Sequence, residues 1–246
     1  LRSADIVGGK ITATWLEDAS TKVTVHSPNG TELYSVKMPG IGTSSGFNGD
    51  NEDITVYWSY SSYNQPPSIY SLDLLTQETS MYWKSNVPVD VSNIIVRREF
   101  VTSTDGAKVP IFIVSNKDAK RNGNNPVLQY GYGGFDIPIL PYFSASRATW
   151  VQLGGVLVVA CIRGGSEYGK SWHEGGMLAN KQQCFDDFIA CSEWLIENNW
   201  TNPKKLAIQG GSNGGLLVGA CMTQRPDLYG ACFPAVGVLD MLRFPL

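Results

Sequence analysis

Leu206-Ala207-Ile208-Gln209-Gly210-Gly211-Ser212-Asn213-Gly214-Gly215-Leu216-Leu217-Val218 joins a short apolar run, a serine flanked by glycines, and a second apolar run. The pattern reads as strand, tight turn, helix. Gly210, Ser212 and Gly214 fit the G-x-S-x-G nucleophile elbow, in which a sharp turn lifts the serine hydroxyl to the carboxyl end of a parallel sheet. Side chains at the two glycines would collide with the adjoining strand and helix. Phosphate loops also lie between a strand and a helix, but two details exclude them. Leu216 and Leu217 stand where a P-loop needs Lys and Ser or Thr. Ser212 occupies the second glycine position of the dinucleotide fingerprint.

Upstream of the elbow, Val127-Leu128-Gln129-Tyr130 and Gly155-Val156-Leu157-Val158-Val159-Ala160 read as strands of a parallel sheet covered on both faces. Between Cys184 and Ile196, apolar residues recur at helical spacing. The order strand, crossover helix, strand, elbow, helix is that of an α/β-hydrolase. Before it, Ile94–Val101 and Val109–Val114 flank the turn Thr104-Asp105-Gly106 and predict a hairpin, and the polar run from Asn116 to Asn125 predicts a surface loop.

The opening part of the chain has a different texture. Ile11–Trp15, Lys22–His26, Thr31–Val36, Ile54–Ser59 and Ser68–Asp73 alternate as half-buried antiparallel strands do, and Ser27-Pro28-Asn29-Gly30 is a turn between two of them. Such strands make about two blades of a β-propeller, or else part of a sandwich. The aromatics Tyr57, Trp58, Tyr60 and Tyr63 are read as packing rather than a binding surface. Pro88 marks the change of pattern, so the expected domains are residues 1–91 and 92–246.

The 246 residues carry a net charge of −3, without a basic run suited to nucleic acid. No apolar stretch approaches the roughly 18 residues that cross a bilayer, and the chain reads as soluble. Five cysteines, odd in number and in apolar surroundings, read as free thiols in a reducing compartment, which points to the cytoplasm. The chain opens on Leu1-Arg2-Ser3 and stops at Phe244-Pro245-Leu246, and is read as a fragment.

A serine nucleophile needs a base, normally a histidine held by a carboxylate, and in this fold the order is Ser, Asp or Glu, His. The only histidines, His26 and His173, both precede Ser212, so the triad is incomplete within these residues. Asp227 and Asp240 follow the serine but have no histidine to orient. One oxyanion donor is the backbone N–H after the nucleophile, here that of Asn213. The glycine-rich loop Tyr130-Gly131-Tyr132-Gly133-Gly134-Phe135 is of the kind that supplies the second, with tyrosine hydroxyls able to donate.

That loop, together with Arg163-Gly164-Gly165-Ser166-Glu167-Tyr168-Gly169, Trp172-His173-Glu174-Gly175-Gly176, Asn180-Lys181-Gln182 and Gly210–Leu217, closely resembles the prolyl oligopeptidases in sequence and order. The resemblance covers about Val96 to Phe244. It implies an α/β-hydrolase domain, incomplete at its C-terminal end, preceded by the last blades of a β-propeller. It further implies a serine peptidase that cleaves short proline-containing peptides after proline through an acyl-enzyme, without metal or cofactor, as a monomer when full-length. Ser212 then corresponds to the nucleophile, Asn213 and Tyr132 to the oxyanion hole, and Phe135 to a ring lining the proline pocket; the Asp and His would lie beyond Leu246. A sister oligopeptidase, a peptide-cyclising transpeptidase and a non-catalytic truncated homologue are the alternatives. On the same resemblance His173 has a structural or loop-fixing role. Arg163 and Glu167 are expected to hold their loop by a salt bridge or hydrogen bonds, and Asp186 and Asp187 to favour a helix dipole.

Overall fold

The computed structural model describes residues 1–244; the closing Pro245-Leu246 lies outside the described residues. The chain divides into two compact units, Leu1–Val91 with Leu140–Ala148, and Ser92–Ile139 with Thr149–Leu246. No helix among the described residues is long and apolar enough to cross a membrane.

In the first unit, β1 (Ser3–Val7), β2 (Lys10–Glu17), β3 (Ser20–His26) and β4 (Glu32–Ser35) form one antiparallel sheet, with neighbours in chain order. A second sheet of the same kind contains β5 (Thr43–Gly46), β6 (Thr55–Ser62), β7 (Gln65–Asp73) and β8 (Thr79–Lys84). Two four-stranded meanders are two propeller blades. Period-two alternation along β6 buries Val56, Trp58 and Tyr60 and leaves Tyr57 outside. Trp58 stacks between Phe47, with centroids 5.1 Å apart, and Tyr70, 4.7 Å away, while Tyr60 meets it edge-on. Tyr63 is buried as well, so three of the four aromatics pack, while exposed Tyr57 lies edge-on to Tyr82.

The second unit begins with the hairpin of β9 (Ile94–Thr102) and β10 (Lys108–Asn116), and Gly106 in its turn adopts φ 90°. There follow β11 (Val127–Tyr130), α1 (Ala145–Gln152), whose residues up to Ala148 belong to the first unit, β12 (Val156–Ala160), α2 (Lys170–Glu174), α3 (Lys181–Glu197), β13 (Leu206–Gly211), α4 (Asn213–Gln224) and β14 (Ala231–Ala235). Their sheet has the order β14-β13-β11-β12-β10-β9, parallel from β14 to β12 and antiparallel from β12 to β9. Every residue of β12 is buried, as its unbroken apolar run requires. Phe188, Cys191 and Leu195 of α3 join Ile208 of β13 and Leu217 of α4 in one core. The buried amide of Gln129 is satisfied there, donating 2.9 Å to the Phe188 carbonyl and accepting from the Ser192 hydroxyl. This is α/β-hydrolase architecture.

Two expectations are corrected. α3 starts at Lys181, three residues before the apolar periodicity at Cys184, so no acidic residue lies in its first turn. Asp186 instead accepts from the Gln182 amide at 2.8 Å, and Asp187 is buried and ion-paired. The second correction concerns only a direct pairing of Arg163 with Glu167: both residues do hold their loop, Glu167 by accepting the Ile139 N–H, but the carboxylate partners of Arg163 are Asp187 and Asp105. Its Nε and Nη2 donate to Asp187 at 2.9 and 2.6 Å, and Nη1 and Nη2 reach Asp105 in the β9–β10 turn at 2.5 and 3.0 Å. The Gln183 amide oxygen accepts a further bond at 2.8 Å.

Two stability predictions follow from these contacts. Trp58→Ala removes the middle ring of the stack and should destabilise the first unit by about 3–5 kcal/mol in denaturant unfolding. Asp187 is fully buried whereas Asp105 is 40% exposed, so removal of the shared cation strands only the former. Arg163→Met should therefore cost about 3–5 kcal/mol, and Asp105→Asn less than about 1 kcal/mol.

Candidate active site

The elbow is made by β13 running into α4 without an intervening loop. Ser212 is the residue between them, at φ 56° and ψ −116°. A residue with a Cβ holds such angles at a cost of about 1–3 kcal/mol, and only where the surroundings fix it. The fixing contacts are backbone ones. The Ser212 N–H donates 3.0 Å to the Ala235 carbonyl, and its own carbonyl accepts from Gly215 and Leu216. A Cβ on Gly210 would stand 2.3 Å from the Gly214 oxygen, and one on Gly214 would stand 2.7 Å from the Gly131 oxygen. The glycines are therefore steric requirements of the turn. The Ser212 side chain is exposed, and its hydroxyl has no hydrogen bond among the described residues.

Asn213 is the first residue of α4, where a backbone N–H has no acceptor within the helix. Its side-chain Nδ2 donates 2.6 Å to the Tyr132 carbonyl, which ties the loop after β11 to the elbow. Lys181 completes the tie from α3, its Nζ donating 2.7 Å to the Gly133 carbonyl and 3.4 Å to Asn213 Oδ1. Tyr132, Gly134 and Asn213 are thus brought together. A Cβ on Gly134 would be 2.5 Å from Asn213 Nδ2, so the next residue, Phe135, leaves from a point against the elbow. Phe135 itself is 72% exposed and adopts φ 55°. Lys181 belongs to this arrangement, and its place in the Asn180-Lys181-Gln182 motif carries no signal of that role in the sequence. Cys184 adjoins the same carbonyl, but burial pushes its thiol up to about 12, which makes it a packing group.

His173 does not join the serine. Its Nδ1 lies 2.7 Å from the Gly164 carbonyl and 3.1 Å from the Asp136 N–H. The Asp136 N–H reaches the same carbonyl at 3.2 Å. The histidine fixes two loops to each other. His26 is held by Thr24 and Gly30 in the β3–β4 hairpin. Asp227 is bound to Arg225 at the surface.

Glu167 has an unusual environment. It is buried, its Oε1 accepts the Ile139 N–H at 2.8 Å, and its Oε2 has no partner among the described residues. Burial pushes its carboxyl up from 4.5 to about 7, opposed by the backbone N–H bonds. The titratable neighbour is the Cys161 thiol, which burial keeps neutral. Because the folded state holds the proton more tightly than the unfolded chain, this group's contribution is fully present below about pH 4.5 and lost as pH rises through 7. A glutamine does not titrate. The melting temperature of Glu167→Gln relative to wild type should therefore climb steadily from pH 5 to pH 8, by an amount worth on the order of a few kcal/mol; a difference that stays flat with pH would show that Glu167 is charged throughout.

Comparison with known proteins follows the same division. Residues 141–246 match the model of the prolyl oligopeptidase family, and residues 1–85 match that of the prolyl oligopeptidase N-terminal beta-propeller domain. A prolyl endopeptidase of Elizabethkingia meningoseptica is 44% identical over 237 residues, 96% of this chain and 34% of that protein. A prolyl oligopeptidase of Omphalotus olearius is 40% identical over 201 residues, 80% of this chain and 27% of the relative. A solved prolyl endopeptidase from a study of inter-domain dynamics in catalysis and specificity has a TM-score of 0.90 at 45% identity, covering 98% of this chain and 36% of its own. Prolyl oligopeptidase B of Galerina marginata, bound to a 25mer macrocyclization substrate, has a TM-score of 0.91 at 33% identity, covering 99% and 35%. The chain spans roughly a third of the length of these relatives. With both stretches matched by models of one family, and with the same family found by sequence and by structure, the chain belongs to the prolyl oligopeptidases, a family of serine peptidases.

Proposed function

We propose that the protein containing this chain hydrolyses short peptides on the carboxyl side of proline, with Ser212 as the nucleophile. The observation that carries the proposal is the strained, glycine-cradled Ser212, whose exposed hydroxyl stands between a parallel strand and a helix N-terminus. Attack by Oγ on the prolyl carbonyl forms a tetrahedral oxyanion. Collapse releases the amine product and leaves an acyl-enzyme for water to hydrolyse. The Asn213 N–H and the Tyr132 hydroxyl are the proposed oxyanion donors. Tyr132 is apt because its carbonyl is anchored to the Asn213 side chain, so both donors move as one piece. Phe135 is the proposed wall of the proline pocket, since an apolar ring stacks on pyrrolidine, which has no donor to read.

The general base and its orienting carboxylate are proposed to follow Leu246, because His173 is engaged with Gly164 and His26 with its own hairpin. The domains are proposed as residues 1–91, part of a propeller that restricts entry of large substrates, and 92–246, part of the peptidase domain. Five free cysteines, four of them buried, favour a cytoplasmic setting. Partition of the acyl-enzyme to a peptide amine rather than water is a second reading, favoured by the resemblance to the Galerina protein solved with a macrocyclization substrate.

A proline-containing serine-directed phosphonate tests the assignment. The protein extended through its natural continuation should label, while Ser212→Ala of that protein and residues 1–246 alone should not. Absence of label on the folded, extended wild-type protein would overturn the peptidase reading in favour of a non-catalytic homologue. In the extended protein, Tyr132→Phe should lower kcat about 100-fold with little change in KM, as expected for a donor used only in the transition state.

A further inference from the structure

Phe135 presents a physical puzzle. Its ring is 72% exposed, so side-chain packing does little to place it. Its backbone and that of Asp136 both lie in the left-handed region, at φ 55° and 58°, and two such residues in succession relax unless neighbouring contacts hold them. The Gly134 carbonyl accepts the Ile137 N–H at 3.1 Å, which closes the turn locally. The remaining bonds to residues 136–139 come from the loop after β12 and from His173 of α2, whose Nδ1 lies 3.1 Å from the Asp136 N–H. The Asp136 N–H reaches the Gly164 carbonyl at 3.2 Å, the Ser166 hydroxyl donates 2.7 Å to the Asp136 carbonyl, and the Ile139 N–H donates 2.8 Å to Glu167 Oε1. The Cys161 thiol lies 3.4 Å from the Ile139 carbonyl.

Resting on the reading of Phe135 as the proline-pocket wall, we infer that Glu167 is a positioning residue for substrate specificity: its buried carboxylate, gripping the Ile139 N–H, holds the strained 135–139 turn and so aims the Phe135 ring. Three features fit this role and not that of a surface charge. Glu167 is 2% exposed, its Oε2 is left without a partner, and no cation pairs with it among the described residues, so its burial is costly and is not explained by an ion pair. The carboxylate approaches across a bare Cα, because a Cβ on Gly165 would stand 2.5 Å from Glu167 Oε2 and 2.8 Å from the Ile137 carbonyl. Ser166, the neighbouring residue, grips the other end of the same turn, so the pair acts as a two-point clamp.

The test uses the extended protein and compares peptide substrates with proline or alanine before the scissile bond, alongside labelling of Ser212 by a small fluorophosphonate that has no proline. In Glu167→Ala the proline-over-alanine ratio of kcat/KM should fall about tenfold, mainly through KM for proline, which is the scale of one reshaped apolar contact. Fluorophosphonate labelling should stay within about twofold of wild type, because the elbow rests on other contacts. Glu167→Gln keeps an acceptor for the Ile139 N–H and should restore the ratio to within about threefold of wild type. Should Glu167→Ala fail to fold, Ser166→Ala supplies the reading, with a ratio lowered about threefold. An unchanged ratio in the folded clamp variants, or a parallel loss of fluorophosphonate labelling and of both substrates, would overturn the inference. Failure of the underlying reading looks different: the wild-type protein would then neither label nor prefer proline.

Discussion

The carbonyl oxygen of Gly131 is the fixed point of the second unit. It lies 2.9 Å from where a Cβ of Gly210 would stand and 2.7 Å from that of Gly214. Three stretches of backbone, the end of β13, the first turn of α4 and the loop after β11, therefore meet with no side chain between them. Gly131 is pressed from its other side too, since a Cβ there would be 2.7 Å from the Phe188 ring of α3. Backbone against backbone is a stiff contact, with no rotamer to give way. The strained serine and the loop that faces it are consequently one rigid piece, set by the parallel register of β11 and β13.

Glycine-rich loops raise a problem that this fold answers through charge. The loops Tyr130–Phe135 and Arg163–Gly169 have few side chains to pack, so apolar burial cannot hold them. Helix α3 supplies polar anchors instead. Lys181 in its first turn reaches the Gly133 carbonyl, and Asp187, two turns on, takes the guanidinium and the backbone N–H of Arg163. Arg163 then extends the anchor to Asp105 at the tip of the β9–β10 hairpin. Its planar fork serves two carboxylates and an amide at once, a geometry that an ammonium group does not supply. Such burial of charge contributes little net stability compared with an apolar replacement, but breaking it strands Asp187, and that asymmetry fixes the loops in place.

How legible this was in the sequence depends on the range of the forces involved. Period-two and period-3.6 patterns are local, and β2, β3, β6, β7, α3 and the elbow could be read directly. β1, β5 and β8 were not read: Thr43-Ser44-Ser45-Gly46 has no apolar alternation, and β8 is exposed at every residue, so these strands exist through pairing with partners rather than through their own pattern. β14, too, went unread, and Pro234 within it is tolerated at a sheet edge. Polar anchors were the least legible. Arg163 meets partners 58 residues upstream and 24 downstream, and nearness in sequence pointed to Glu167 instead. The glycines and serine of the elbow were readable because they answer a local steric demand, whereas Lys181 and Glu167 answer demands set by loops about 30 to 50 residues away.

The distribution of backbone strain follows from the same logic. In the second unit the described non-glycine residues with positive φ are Phe135, Asp136, Leu178, Asn199, Ser212 and Val236. Four of these, Phe135, Asp136, Ser212 and Val236, belong to the segments that converge on the elbow, where the Ala235 carbonyl accepts from Ser212. Ser212, Phe135 and Val236 are also exposed. A buried side chain is aimed by its neighbours, but an exposed one has few and is aimed mainly by its own backbone. At their unusual angles Ser212 and Phe135 stand exposed, and the close glycine contacts and polar clamps keep those angles from relaxing.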